Sequence, residues 1–292
     1  MSDQYQAIAD HISATSGRPF VASQAQRAGG GCINDAVVLV DGQRRYFVKL
    51  NRVDWVDMFS AESEGLQAIS ATNAIRVPQP LCWGTDNGLA YIVMEYVEFG
   101  RARDATLATL GRQLAAMHRS TAAEFGWHRD NTIGSTPQPN TASSDWVQFW
   151  CEQRLGFQLD LAARNGYGGR LQSTGERLMT QIGDLFSDYQ PLPSLLHGDL
   201  WGGNWSSDLN GAPVIYDPAV YYGDREADLA MTELFGGFDT AFYDAYQEAW
   251  PLDAGYPRRK HLYNLYHVLN HLNLFGGGYL AQAEGMIARL LR

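Results

Sequence analysis

Hydrophobic and polar positions divide the chain into two differently patterned halves. An amphipathic stretch over 3–14 places Tyr5, Ile8, Ala9 and Ile12 on one side of a helix. Beyond a break at Gly17-Arg18-Pro19-Phe20 the period changes. AVVLV at 36–40 and RRYFVKL at 44–50 flank Asp41-Gly42-Gln43, and Asp-Gly between such runs predicts a hairpin. LCWGTD at 81–86 and LAYIVMEYV at 89–97 flank Asn87-Gly88 in the same way. Between the two hairpins, VDMFSAESEGLQAISAT has helical spacing through Phe59, Leu66 and Ile69, and it breaks at Arg76-Val77-Pro78-Gln79-Pro80.

After Val97 the pattern turns helical. Leu107, Leu110, Leu114 and Met117 mark one helix, and Trp146, Phe149, Trp150 and Leu155 another. Further helices are expected over 171–188, 226–236, 239–249 and 257–275. Residues 124–140 read as an irregular polar loop of a length that often serves function. The expected fold class is α+β in two lobes: residues 1–97 an antiparallel sheet with one inserted helix, residues 98–292 mostly helical.

Composition narrows the function. A 45% apolar share supports a folded globule, and no apolar run approaches the roughly 18 residues of a membrane span. The N-terminus shows no basic region followed by an apolar stretch, so no secretory signal is read. Cys32, Cys82 and Cys151 form no disulfide framework, which makes a reducing cytoplasm the expected setting. A formal charge of -10 disfavours nucleic acid and mildly favours cationic or neutral small substrates. Lys49 and Lys260 are the only lysines.

The candidate chemistry centres on LHGDLWGGNWSSDLNGAPVIYDP at 196–218. Asp199 and Asn204 lie five apart in a polar elbow, and the apolar segment after it ends on Asp217. One carboxylate to take a proton, with an amide and a second carboxylate as metal ligands, suits Mg-dependent phosphoryl transfer. A hairpin using Asp and Asn as turn residues is the plain alternative. Gly29, Gly30 and Gly31 suit a loop over nucleotide phosphates, or a simple hairpin; no Walker A lysine follows them. Lys49 reads either as a solvent-facing edge residue or as a phosphate-binding lysine held by a helix glutamate, Glu62 or Glu64. His267 and His271 share a helix face, but HVLNH lacks a zincin glutamate and no third ligand is evident.

Taken in order, Lys49, Glu62, Asp199, Asn204 and Asp217 resemble the pattern of the protein-kinase-like superfamily. GGGCI at 29–33, FVK at 47–49, MFSAESEGL at 58–66, the loop FGWHRDNTIGSTPQPN, LHGDLWGGNW at 196–205 and DPAVYYGDREADLAMTELFGGF at 217–238 resemble the fructosamine kinase (ketosamine-3-kinase) family. That family is related to aminoglycoside phosphotransferases and choline kinases. Gly198 and Pro218 stand where protein kinases have other residues, which points to the small-molecule branch.

The resemblance implies Asp199 as catalytic base, Asn204 and Asp217 as Mg2+ ligands, and Lys49 with Glu62 at the phosphates of ATP. It implies that Gly29, Gly30 and Gly31 cover the nucleotide and that backbone from Glu95 through Tyr96 to Val97 holds adenine. Trp201, Asn131 and Gly134 would contact the acceptor. Asp224 and Asp228 would fix the base loop, and Cys32 would match a cysteine linked in the family to redox control. The implied reaction is phosphorylation of the 3-hydroxyl of a free or protein-bound ketosamine, leading to deglycation, by a monomer or weak dimer. Another small-molecule kinase, such as an aminoglycoside or sugar phosphotransferase, is the alternative.

Overall fold

The structure, a computed structural model, describes residues 5–29 and 33–292. Contacts group the chain into two compact units: Met1–Ala102 with Ser206–Asp217, and Arg103–Trp205 with Pro218–Arg292.

The first unit is built on a five-stranded antiparallel sheet. Helix α1 (Gln6–Ser16) is followed by β1 (Gln24–Ala28), β2 (Asp35–Asp41) and β3 (Arg44–Arg52). Helix α2 (Val56–Ala71) precedes β4 (Pro80–Asp86) and β5 (Leu89–Glu95), and the strand order is β1-β2-β3-β5-β4. The second hairpin turns through Asn87 and Gly88 with φ of +47° and +80°, the left-handed pair that Asn-Gly tolerates. On one sheet face, Val48, Leu50, Val37, Leu39 and Val93 pack with Ile8 and Ile12 of α1. The opposite phase of β3 carries Lys49, and α2 buries Phe59, Leu66 and Ile69. With helices serving both phases, the middle of β3 is buried throughout.

Residues 206–217 also belong to this unit. Strands β9 (Trp205–Ser207) and β10 (Pro213–Ile215) pair with each other, Val214 bridges Arg76, and the Gly100 N–H donates to Ser207 O at 2.8 Å. The expected division at 97/98 is a single cut, whereas this later segment is grouped with the earlier residues.

The second unit is largely helical. It contains α3 (Asp104–His118), the hairpin β6 (Asn131–Ile133) and β7 (Thr136–Gln138), and a continuous helix of α4 (Trp146–Phe149), a π-helical stretch (Trp150–Gly156) and α5 (Phe157–Arg164). Then come α6 (Arg170–Met179), β8 (Ser194–Leu196), β11 (Tyr221–Gly223), α7 (Glu226–Leu234), α8 (Thr240–Ala249), α9 (Tyr256–Phe275) and α10 (Leu280–Leu290). Its core joins Trp146, Phe149 and Trp150 to Tyr263, Tyr266 and Leu269 of α9.

Three differences from the sequence pattern stand out. The 124–140 segment is not wholly irregular, because Asn131–Gln138 pairs as a hairpin turning at Gly134, φ +64°. The helix expected over 171–188 is α6 followed by a separate 3-10 turn at Ile182–Phe186. Helix α10 is additional, and Ala283, Ile287 and Leu290 form its buried stripe.

Candidate active site

In the first unit, Lys49 sits mid-strand, paired across the sheet with Ile92 and Ala36. It is buried rather than a solvent-facing edge residue, and its Nζ lies 2.5 Å from both Glu62 Oε1 and Asp217 Oδ1. Burial works to lower the Lys49 pKa, but the charges of Asp217 and Glu62 outweigh it and drive the pKa upward. The ammonium is therefore fixed. Burial raises the pKa of Glu62, and Lys49 opposes that rise. Losing either carboxylate would leave a buried cation short of a partner, the costly half of a broken ion pair.

Asp217 has φ +59°, and the other described non-glycine residues with positive φ are Asn73 and Asn87. The left-handed region costs an aspartate about 1 kcal/mol, so this strain marks a position that other forces fix. The Asp217 side chain is 42% exposed, against 9% for Lys49, so it offers oxygen to solvent or ligand while holding the lysine.

In the second unit the loop after β8 carries Asp199. Asn204 Nδ2 donates to Asp199 Oδ2 at 3.0 Å and to Asp199 O at 2.9 Å. This leaves the Asn204 Oδ1 as the atom suited to a cation. The loop is held from behind by Asp228 of α7, whose carboxylate accepts the N–H of His197 at 2.7 Å and of Gly198 at 2.8 Å. Burial opposes the charge of Asp228, but His118 and the Gly198 N–H hold its carboxyl below the usual carboxylate range. At Gly198, φ is +81° and a Cβ would come within 2.1 Å of Ala219 O, so only glycine fits. These contacts position the Asp199 backbone; they do not make the elbow a simple hairpin turn, because β8 pairs with β11.

Comparison with known proteins is consistent along the whole chain. The family model described as "Fructosamine kinase" matches residues 4–292. A Synechocystis protein named "Probable ketoamine kinase" is 50% identical over 99% of this chain and 97% of its own. The chloroplastic protein-ribulosamine 3-kinase of Arabidopsis thaliana is 46% identical over 95% of this chain and 86% of its own. The chain belongs to the fructosamine kinase family. The crystal structure of a Haemophilus somnus protein assigned as a fructosamine-3-kinase superposes with a TM-score of 0.90 at 28% identity, covering 99% of this chain and 98% of that one. The two-lobed α+β protein-kinase-like fold expected from the sequence is thereby shown.

The remaining candidates of this fructosamine kinase family member have distinct settings. Trp201 is 39% exposed, with its ring over Gly203. Asn131 is tied into the scaffold: its Nδ2 donates to Val220 O, and its Oδ1 accepts from Gln138 and Asn140. Gly134 forms the hairpin turn. Gly29 is exposed, while Gly30, Gly31 and Cys32 lie outside the described residues. The Glu95 N–H donates to Gln79 O and its carboxylate pairs with Arg76, Tyr96 lies under the Arg45 guanidinium, and Val97 is buried. His271 Nδ1 engages His267 O, burial first and His271 second push the His267 pKa down to about 3, and no metal-binding cluster of three or more His, Cys, Asp or Glu occurs among the described residues.

Two supporting features escape sequence reading. His118 joins Asp228 from 110 positions away and is itself held by Tyr246. Arg154 is fully buried on the Tyr221 ring and donates to Pro139 O and Asn140 Oδ1. Through Asn140, Asn131 and Gln138 it braces the backbone carbonyls of Ala219 and Val220. Asp224 instead binds Tyr189, Tyr263 and the Glu226 N–H, so among the pair in GDREAD it is Asp228 that touches the loop.

Proposed function

We propose that this protein transfers the γ-phosphoryl group of ATP to the 3-hydroxyl of ketosamines, the first step of deglycation. The observation that carries the reading is identity of 46–50% to proteins named "Probable ketoamine kinase" and "Protein-ribulosamine 3-kinase" across at least 95% of the chain. Asp199 orients the acceptor hydroxyl and accepts its proton, and Asn204 steadies that carboxylate. Lys49, held by Glu62, contacts the phosphates. Gly29, Gly30 and Gly31 cover them, and backbone from Glu95 to Val97 receives adenine.

Asn204 and Asp217 are the residues to hold Mg2+. Their amide and carboxylate oxygens are hard donors, and Mg2+ in kinases takes one or two such ligands together with phosphate oxygens and water. When bound, Mg2+ neutralises charge developing on the transferred group. Trp201 meets the acceptor, and Asn131 and Gly134 shape its surroundings through the β6–β7 hairpin. The scattered cysteines support a cytoplasmic setting, and no helix among the described residues is long and apolar enough to cross a membrane. The acidic charge speaks against a nucleic-acid partner. A monomer or weak dimer completes the reading.

Charge pairing argues against aminoglycosides as preferred acceptors. Glu284 is the only acidic residue in 255–292. Three upstream carboxylates are already engaged: Glu226 with Arg259, Glu233 with Lys260 and Asp228 with His118. A polycation would find those three carboxylates already paired. Under one buffer and MgATP concentration, kcat/KM for a ribulosamine and a fructosamine is expected to exceed that for kanamycin. A kanamycin value equal to or above both ketosamines would overturn the reading.

A further inference from the structure

Trp201 opens a run of aromatic rings of which Trp201, Phe235 and Phe275 are exposed and Tyr279 packs against the core. The backbone at Gly202 packs tightly on the turn after α7: a Cβ on Gly237 would meet Gly202 Cα at 2.6 Å, and one on Gly202 would meet Gly236 O at 3.0 Å. Gly236 and Gly237 have φ of +76° and +97°, a turn suited to glycine. This close approach sets Phe235 edge-on to Trp201, with ring centroids 6.4 Å apart. Phe235 lies 4.9 Å from His271 of α9, and His271 lies 5.4 Å from Phe275 and 5.2 Å from Tyr279. Trp201, Phe235 and Phe275 are 39%, 41% and 58% exposed. Contiguous exposed rings beginning two residues after Asp199 form the kind of apolar surface that marks a binding site.

Resting on the ketosamine kinase reading, we infer that these rings are the subsite for the substituent on the ketosamine nitrogen, and that its preferred occupant is the methylene stem of a glycated lysine. The nitrogen is attached to C1, close along the sugar to the C3 hydroxyl that Asp199 serves, so its substituent leaves the sugar near Trp201. An alkylammonium group gains from an aromatic face, and a lysine stem lies readily along apolar surface. Glu233, the nearest acidic residue in sequence to Phe235, is held by Lys260 and Tyr256, so recognition here is by rings rather than by a free carboxylate.

The test compares two ribulose adducts, one of methylamine and one on the Nε of Nα-acetyl-lysine. The wild-type protein should favour the lysine adduct in kcat/KM by about 10-fold, the worth of burying a few methylenes. Phe235→Ala and Phe275→Ala should each lower kcat/KM on the lysine adduct by about 5-fold more than on the methylamine adduct. If Phe235→Ala folds poorly, the more exposed Phe275 carries the comparison. Equal losses on both adducts, or no loss on either, would overturn the subsite while leaving the kinase reading intact. A wild-type protein that phosphorylates neither adduct would overturn both.

Discussion

Asp199→Asn is expected to lower kcat on a ribulosamine by about 10³-fold, the scale of a lost general base in an otherwise intact site. The substitution keeps the size of the side chain, and an amide oxygen can still accept from Asn204 Nδ2, now at 3.0 Å from Asp199 Oδ2. The loop itself should persist, because its backbone is held by Asp228 through His197 and Gly198. Affinity for MgATP should therefore stay within about threefold, since the removed group is proposed to serve the acceptor. Single-turnover rates and nucleotide titration separate the two effects. Near wild-type kcat on the true acceptor would sink the assignment of Asp199 as base.

Asp217→Asn should give a different signature. Asparagine tolerates the left-handed backbone at φ +59°, so the substitution tests the charge rather than the fold. It removes one of the two carboxylates on the Lys49 ammonium and one proposed Mg2+ ligand. Turnover should fall by about 10²-fold and MgATP should bind more weakly, with excess Mg2+ restoring part of the loss. Calorimetric titration of MgATP at several Mg2+ concentrations reads this directly. Normal nucleotide affinity with no response to Mg2+ would make Asp217 a structural partner of Lys49 alone.

Much of the first unit is legible in the sequence because its signals are local. Asp-Gly and Asn-Gly mark both hairpins, and the helical stripe of Phe59, Leu66 and Ile69 marks α2. The burial of Lys49 is less legible. A strand reading with one covered face leaves a lysine at the edge, whereas here α1 packs behind Val48 and Leu50 while Glu62 of α2 meets Lys49 from the other phase. The β6–β7 hairpin is obscured because its strands are three residues each and mostly polar. Its pairing is secured by Gln138 and Asn131, which bond outward to Ala219 and Val220.

Long-range supports leave no periodic trace. Nothing near His118 announces Asp228, and nothing near Arg154 announces Tyr221, because each pair meets only once the helices have packed. Helix α10 is the opposite case. The spacing of Ala283, Ile287 and Leu290 carries its buried face openly.

The position of the transferred phosphate tests the central claim most directly. A ribulosamine incubated with the protein and MgATP, then examined by 31P and 13C NMR, is expected to carry phosphate on C3. Phosphate at any other carbon, or no ATP-dependent transfer to the ribulosamine, would contradict it.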